Sequence, residues 1–198
     1  MPKLTKPSAM SFAAILFDCD GVLVDSEPIT MRVLRQCLHE SGWSLSLAEC
    51  MALFVGVTVR SKTALIEART GQPLTDAWMD DFYARRNRAL TAELQPIAGA
   101  VDAVRTLHAR LQGRIACASG ADRLKVELQL AQVGLADCFA GRVFSGHEMP
   151  RSKPAPDVYL AAAQALALAP ACCLVVEDTP TGVQAGVAAV STVWAYVP

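Results

Sequence analysis

The segment Phe12 to Phe17, Phe-Ala-Ala-Ile-Leu-Phe, is an apolar run of strand length that stops abruptly at Asp18-Cys19-Asp20-Gly21. The same form returns three times. Arg114 to Ala118 runs into Ser119-Gly120-Ala121-Asp122 and then into a helix-like stretch over Arg123 to Val133. Cys172 to Val176 runs into Glu177-Asp178-Thr179-Pro180-Thr181-Gly182, with helix-like spacing over Val183 to Ala189. A weaker strand, Arg142 to Ser145, precedes Ser152-Lys153-Pro154-Ala155-Pro156-Asp157 and a helix-like run over Val158 to Leu168. Short apolar runs bounded by turn residues read as buried strands. Strands alternating with helices imply parallel pairing through right-handed crossovers, which brings every strand end to one edge of the sheet. Ligands of open α/β sheets bind at that edge.

In an extended backbone, residues i and i+2 point to the same side, about 6 to 7 Å apart. Asp18 and Asp20 are therefore expected to face one substrate from one rigid edge. The spacing suits a division of labour in which one carboxylate attacks an electrophile or binds a metal while the other moves a proton. Taken singly, each station also has a plain structural reading. Asp18 and Asp20 read as the solvated end of a strand, Ser119-Gly120 as a helix cap, Lys153 as a surface lysine, and Asp178-Thr179-Pro180 as a helix start. Their order along one chain decides between the readings.

The stations Asp18-x-Asp20, Ser119, Lys153-Pro154 and Glu177-Asp178 together resemble the ordered motif set of the haloacid dehalogenase superfamily, in its branch of sugar phosphatases and β-phosphoglucomutase-like enzymes. The resemblance runs from Phe12 to about Tyr196. It implies a Rossmann-like, doubly wound parallel α/β sheet carrying an inserted α-helical cap domain. It also implies a Mg²⁺-dependent phosphatase that works through an aspartyl-phosphate intermediate. Asp18 would be the nucleophile, a permissible role for a carboxylate. The repulsion between that anion and the phosphate calls for a hard divalent cation with oxygen ligands. Asp18 and Asp178 would supply two of those ligands, Glu177 a direct or water-mediated contact, and Asp20 its backbone carbonyl. The Asp20 side chain would be the general acid and base. Ser119 and Gly120 would bind phosphoryl oxygens at the start of a helix, and Lys153 would balance the charge of both Asp18 and the phosphate.

From Pro28 to about Gln95 the pattern becomes helix-like, with Met31, Val33, Leu34, Cys37 and Leu38 at helical spacings. Further segments around Leu45 to Leu53, Ser61 to Ala68 and Ala77 to Leu90 continue it. A block of this size is too long for a loop and is expected to form its own small bundle. The expected division is a core of residues 1–27 plus 96–198 and a helical cap of residues 28–95, which would close over the site and help select the substrate. Within the cap, Gly56 permits close backbone approach and Arg60 or Lys62 would meet a second anionic group; an ordinary helix junction with exposed cations is the alternative. Arg85-Arg86-Asn87-Arg88 reads as a solvated helix face. Asp25 and Glu27 read as hinge or structural residues, Glu27 at the pocket mouth.

A mutase of this branch carries a histidine shortly after the first motif, and ungapped alignment on Asp18 puts Thr30 there. The histidines are His39, His108 and His147. This favours hydrolysis over a β-phosphoglucomutase-like reaction. Dehalogenation is disfavoured because an acid at Asp20 is useful for an ester oxygen and unnecessary for a halide. A catalytically silent binding module is the reading from another class. The substrate is expected to be a small phosphorylated metabolite: a sugar phosphate or a sugar-acid phosphate such as 6-phosphogluconate, with phosphoglycolate as a smaller competitor.

The formal charge of −1 over 198 residues gives no case for nucleic-acid binding. No apolar stretch reaches the roughly 18 residues that span a membrane, and Met1 to Ser11 lacks a signal-peptide apolar region. The seven cysteines show no zinc spacing and read as reduced core thiols of a cytoplasmic protein. Cys19 points away from its two neighbouring aspartates on the strand pattern. A monomer is the default expectation. Ser191 to Tyr196 reads as a strand, after which similar proteins continue, so the C-terminus is expected to be incompletely represented.

Overall fold

The computed structural model describes residues 12–197. Five strands form one parallel sheet: β1 (Ala14–Phe17), β2 (Ile115–Ser119), β3 (Val143–Ser145), β4 (Cys173–Glu177) and β5 (Thr192–Ala195), in the order β3-β2-β1-β4-β5. The helices are α1 (Glu27–Glu40), α2 (Leu47–Phe54), α3 (Thr63–Thr70), α4 (Asp76–Glu93), α5 (Ala100–Arg110), α6 (Arg123–Gln132), α7 (Asp157–Ala165) and α8 (Pro180–Ala188). The fold is the predicted Rossmann-like α/β sheet with helices on both sides. The sequence reading leaves the stretch after Gln95 unassigned; α5 occupies it, with Val104 its one buried residue.

Continuous apolar strands arise because both faces of the sheet are covered. Along β1, Ile15 and Phe17 join one cluster with Ile115, Cys117, Val126 and Leu130, while Ala14 and Leu16 join another with Ala116, Val158, Tyr159 and Val175. One strand thus feeds two cores by simple alternation. β1 lies between β2 and β4, with Phe17 beside Cys117 and Val176. The chain leaves β1 to build β2 and β3 on one side, then crosses back to build β4 and β5 on the other. This reversal makes the C-terminal end of β1 a switch point, where a crevice opens.

The helices α1 to α4 pack round a third cluster that includes Leu34, Leu38, Trp43, Phe54, Ile66, Met79 and Phe82. Ser46 and Glu49 form a capping box at α2, and Thr75 caps α4 by accepting from the Trp78 N–H at 3.2 Å. The ends of this block root in the sheet, since Ile29, Leu90 and Leu94 belong to the cluster beneath Ile15 and Phe17. No helix among the described residues is long and apolar enough to cross a membrane. All seven cysteines are free, five of them buried.

Candidate active site

The polar residues that end the strands converge on a cavity of about 360 Å³ between the sheet edge and the helical block. Asp18, first past β1, is tied to the neighbouring strand by its N–H, which donates to the Val176 carbonyl at 2.9 Å. Its carboxylate accepts from Lys153 Nζ at 2.5 Å, and the same ammonium reaches Glu177 Oε1 at 2.5 Å. Lys153 also sits 4.8 Å from the Tyr159 ring centroid. Burial opposes its charge, but its surroundings, Asp18 foremost, hold the ammonium well above the ordinary lysine range.

Glu177 is saturated. Its Oε1 also accepts from Tyr159 Oη at 2.8 Å, while Oε2 accepts from the Asp178 N–H, the Thr179 N–H and the Thr179 hydroxyl. Against its burial, Lys153 and these donors hold Glu177 below the usual carboxylate value. Gly182 makes the arrangement possible, because a Cβ there would overlap the Glu177 carboxylate. Gly21 plays the same part for Asp178: at φ +76° it turns the chain in a left-handed conformation, and a Cβ would overlap the Asp178 carboxylate.

Asp178 is the least compensated group of the site. Its buried Oδ1 has no hydrogen-bond partner among the described residues, and burial followed by the charges of Glu177 and Glu27 pushes its carboxyl up to about 7. Burial likewise raises Asp18 well above the usual range, despite Lys153. Asp18, Glu177 and Asp178 can each bring one oxygen within 4.8 Å of the others. An all-oxygen group with surplus negative charge and an unpartnered buried oxygen fits a hard divalent cation. With the Glu177 oxygens already engaged, Asp18 and Asp178 are the freer donors.

Asp20 faces the same cavity, but its carboxylate turns away from that group. Its Oδ1 accepts from Lys125 Nζ at 2.7 Å, from Gln129 Nε2 at 2.8 Å and from the Ser26 hydroxyl. Burial opposes ionisation here, yet these donors, Lys125 foremost, hold the Asp20 carboxyl at about 2. Ser119 ends β2 as a buried residue whose Oγ accepts from the Ala121 N–H at 3.1 Å, and Asp122 caps α6 by accepting from the Lys125 N–H at 3.0 Å. Ser119, Gly120, Ser152, Lys153 and His147 line the core side of the cavity.

From the helical block come Phe54, Val57, Val59, Phe82, Tyr83 and Arg86. Gly56 lines the cavity, and its carbonyl accepts from the Thr181 hydroxyl at 3.3 Å, so the close approach of its backbone is to α8 of this chain. Arg60 does not reach the cavity. It pairs with Asp76 at 2.5 Å on the outside, because the short 3₁₀ turn over Val59–Lys62 directs Val59 inward instead. Arg86 also departs from expectation. Rather than lying on a solvated face it is buried, with its guanidinium 2.9 Å from Asp122 and 4.6 Å from the Tyr83 ring centroid, whereas Arg85 and Arg88 stay outside. Glu27 does line the cavity, and so does Thr30, whose buried hydroxyl has no partner among the described residues. The sequence reading missed Lys125, Gln129, Ser26 and Tyr159; for the first two the available signal was their i, i+4 spacing on one helix face.

A family model described as haloacid dehalogenase-like hydrolase matches residues 12–189. The fructose-1-phosphate phosphatase YqaB of Escherichia coli (strain K12) is 31% identical over 184 residues, covering 90% of this chain and 93% of that protein. The 6-phosphogluconate phosphatase of the same organism is 29% identical over 175 residues, covering 88% and 77%. Among solved structures, a HAD-family hydrolase from Deinococcus radiodurans R1 with bound phosphate and sodium is 34% identical. It superposes with a TM-score of 0.71 over 94% of this chain and 81% of that one.

Proposed function

The chain belongs to the haloacid dehalogenase-like hydrolases and is a phosphoric monoester hydrolase, and from that premise we propose that it is a phosphatase of neutral sugar phosphates with Asp18 as nucleophile and Asp20 as acid and base. The observation that carries the reading is that two carboxylates facing one cavity keep separate cationic partners: Asp18 meets Lys153 at 2.5 Å, and Asp20 meets Lys125 at 2.7 Å. Neighbouring carboxylates held in different environments can take different roles.

In the proposed sequence an Asp18 oxygen attacks phosphorus, and the bond from phosphorus to the sugar oxygen breaks. Asp20 gives its proton to that departing oxygen. Ionised and paired with Lys125 in the free enzyme, Asp20 takes this proton from the monoanionic ester or from solvent as the negative phosphate approaches and raises its affinity. Asp20 then removes a proton from water, the water oxygen attacks phosphorus, and the bond to Asp18 breaks to release phosphate. Lys153, Ser119 and the backbone at Gly120 receive the charge on the phosphoryl oxygens. Asp18 and Asp178, with the Asp20 carbonyl and Glu177 behind them, would hold a Mg²⁺ ion, which offsets the repulsion between Asp18 and the phosphate. The helices α1 to α4 serve as the cap that excludes water.

The substrate class follows from the charges around the leaving group. Among the described residues, each lysine and arginine lining the cavity is already paired: Lys153 with Asp18 and Glu177, Lys125 with Asp20, and Arg86 with Asp122. The helical side of the cavity offers the apolar Val57 and Val59 and the hydroxyls of Thr30, Thr58, Ser61 and Tyr83, groups suited to sugar hydroxyls, and no unpaired lysine or arginine among the described residues for a distal carboxylate such as that of 6-phosphogluconate. Neutral hexose phosphates such as fructose 1-phosphate are therefore favoured over sugar-acid phosphates.

Phosphate release from a panel of sugar phosphates, sugar-acid phosphates and phosphoglycolate, with and without Mg²⁺, tests the reading. Metal-dependent release that disappears in Asp18→Asn is expected. Isomerised sugar phosphate in place of free phosphate would point to a mutase and overturn it.

A further inference from the structure

Three donors converge on a single oxygen of Asp20. Lys125 and Gln129 come from α6 and Ser26 from the segment before α1, and all of them reach Oδ1. No donor among the described residues is recorded at Oδ2, and the Asp20 side chain keeps 18% exposure toward the cavity. The braces themselves are deeply placed, Lys125 at 7% exposure and Gln129 at 0%. Burying an ammonium and a carboxamide is costly unless both are satisfied, so their convergence on one carboxylate oxygen is a built feature. The amide of Gln129 is oriented in turn by Cys19, whose thiol donates to Oε1 at 3.4 Å and so leaves Nε2 for Asp20. Cys19 thus links the backbone between the two aspartates to the residue that holds the second of them.

We propose that Lys125 and Gln129 are positioning residues for proton transfer: by fixing Oδ1 they aim Oδ2 of Asp20 at the oxygen of the leaving group. The proposal rests on the reading of Asp20 as the acid and base. In the step concerned, the bond between Oδ2 and its proton breaks, the proton passes to the bridging oxygen, and that oxygen keeps the electron pair of the breaking bond to phosphorus. A carboxylate free to rotate would present either oxygen, or neither. Lys125 also lines the cavity, and a direct hold on the phosphate is the rival role. Its ammonium is already committed to Asp20 at 2.7 Å.

Leaving-group dependence separates these roles. A sugar alkoxide needs a proton to depart, whereas p-nitrophenolate does not, and general acid catalysis contributes about 10²- to 10⁴-fold where it is needed. Wild type, Asp20→Asn, Lys125→Met, Gln129→Leu and Ser26→Ala are compared on fructose 1-phosphate and on p-nitrophenyl phosphate. For Lys125→Met and Gln129→Leu, kcat/KM on the sugar ester, which reads the steps through phosphoryl transfer to Asp18 and not the later attack of water, is expected to fall roughly 10- to 100-fold. On the aryl ester kcat/KM is expected to stay within about threefold. Retained aryl-ester activity also reports that the fold and Asp18 are intact. Ser26→Ala, the mildest truncation, should show the same selective loss in smaller measure and serves if the α6 variants do not fold. Equal losses of kcat/KM on both esters would overturn the proposal in favour of a structural or phosphate-binding role. If Asp20→Asn itself shows no selectivity between the esters in kcat/KM, the reading of Asp20 as the acid fails, and that outcome is distinct from failure of the braces alone.

Discussion

Arg86 of α4 crosses from the helical block to the sheet domain and stands 2.9 Å from Asp122, the residue that caps α6. The geometry is that of an ion contact rather than an aligned hydrogen bond, and Asp122 Oδ2 has no hydrogen-bond partner among the described residues. The guanidinium is fixed from behind by Asn87, whose Oδ1 accepts from Nε at 3.0 Å and Nη2 at 2.8 Å, and it lies over the Tyr83 ring. One side chain therefore joins the helical block to the loop that carries Ser119 and Gly120.

Removing that side chain leaves Asp122 partly buried and unpaired. Breaking a buried pair by deleting one partner costs about 3–5 kcal/mol, and the 22% exposure of Asp122 places this case at or below the lower figure. Arg86→Met is expected to lower the thermal midpoint by several degrees and to raise KM for sugar phosphates more than it lowers kcat. An unchanged melting curve would show that the contact carries no stability.

The acidic group predicts a pH dependence that a divalent cation should erase. In the unfolded chain Asp178 titrates near 3.8, while in the fold burial and its acidic neighbours raise it to about 7. Between those values the folded state binds more protons than the unfolded state, so the contribution of this residue to stability is present at low pH and is lost as pH rises toward 7. Without added metal, melting midpoints should therefore decline across that window in wild type and less so in Asp178→Asn. Mg²⁺ should raise the wild-type midpoint more at pH 8 than at pH 5, because a cation binds the ionised form. A Mg²⁺ effect equal at both values, or equal in Asp178→Asn, would remove Asp178 from the metal site.

Val59 offers a gain-of-function test of substrate charge. It lines the cavity where Arg60, its neighbour, turns outward to Asp76. A cation introduced there would be the unpaired positive charge that the cavity otherwise lacks, and a hydrogen bond to a charged group contributes about 1.5–3 kcal/mol. Val59→Arg is expected to raise kcat/KM for 6-phosphogluconate relative to fructose 1-phosphate by about tenfold or more. A wild-type enzyme that already prefers 6-phosphogluconate would contradict the neutral-substrate reading directly.

Much of the site was legible because strand ends and charged residues coincide. A strand buried on both faces must be apolar throughout, so the first carboxylate after it marks the sheet edge, as Asp18 does after Phe17 and Asp178 does just beyond Glu177. What the sequence hid was orientation on helices and in turns. Arg85 and Arg86 are adjacent and chemically alike, yet one pairs with Glu40 and Asp81 outside while the other is enclosed; the difference comes from α6 packing against one face of α4. Lys125 and Gln129 look like an ordinary polar stripe, because nothing within α6 announces that a carboxylate from the loop after β1 will meet it. Arg60 and Val59 exchange inside for outside through one step of a 3₁₀ turn, which no hydrophobic period encodes.

Asp18 and Asp20 are separated by a single residue, yet their supporting contacts share no side chain: Lys153, Glu177 and Tyr159 serve the first, and Lys125, Gln129 and Ser26 serve the second. The two sets belong to different sections of the chain, joined only through the short stretch of backbone around Cys19. On the proposed mechanism, a substitution in α6 would retune how protons move without touching the side chains that hold the attacking oxygen, and a change near β4 would do the reverse. The two carboxylates are wired as separate circuits that meet only through the backbone around Cys19 and the charge that Asp20 imposes on Asp18.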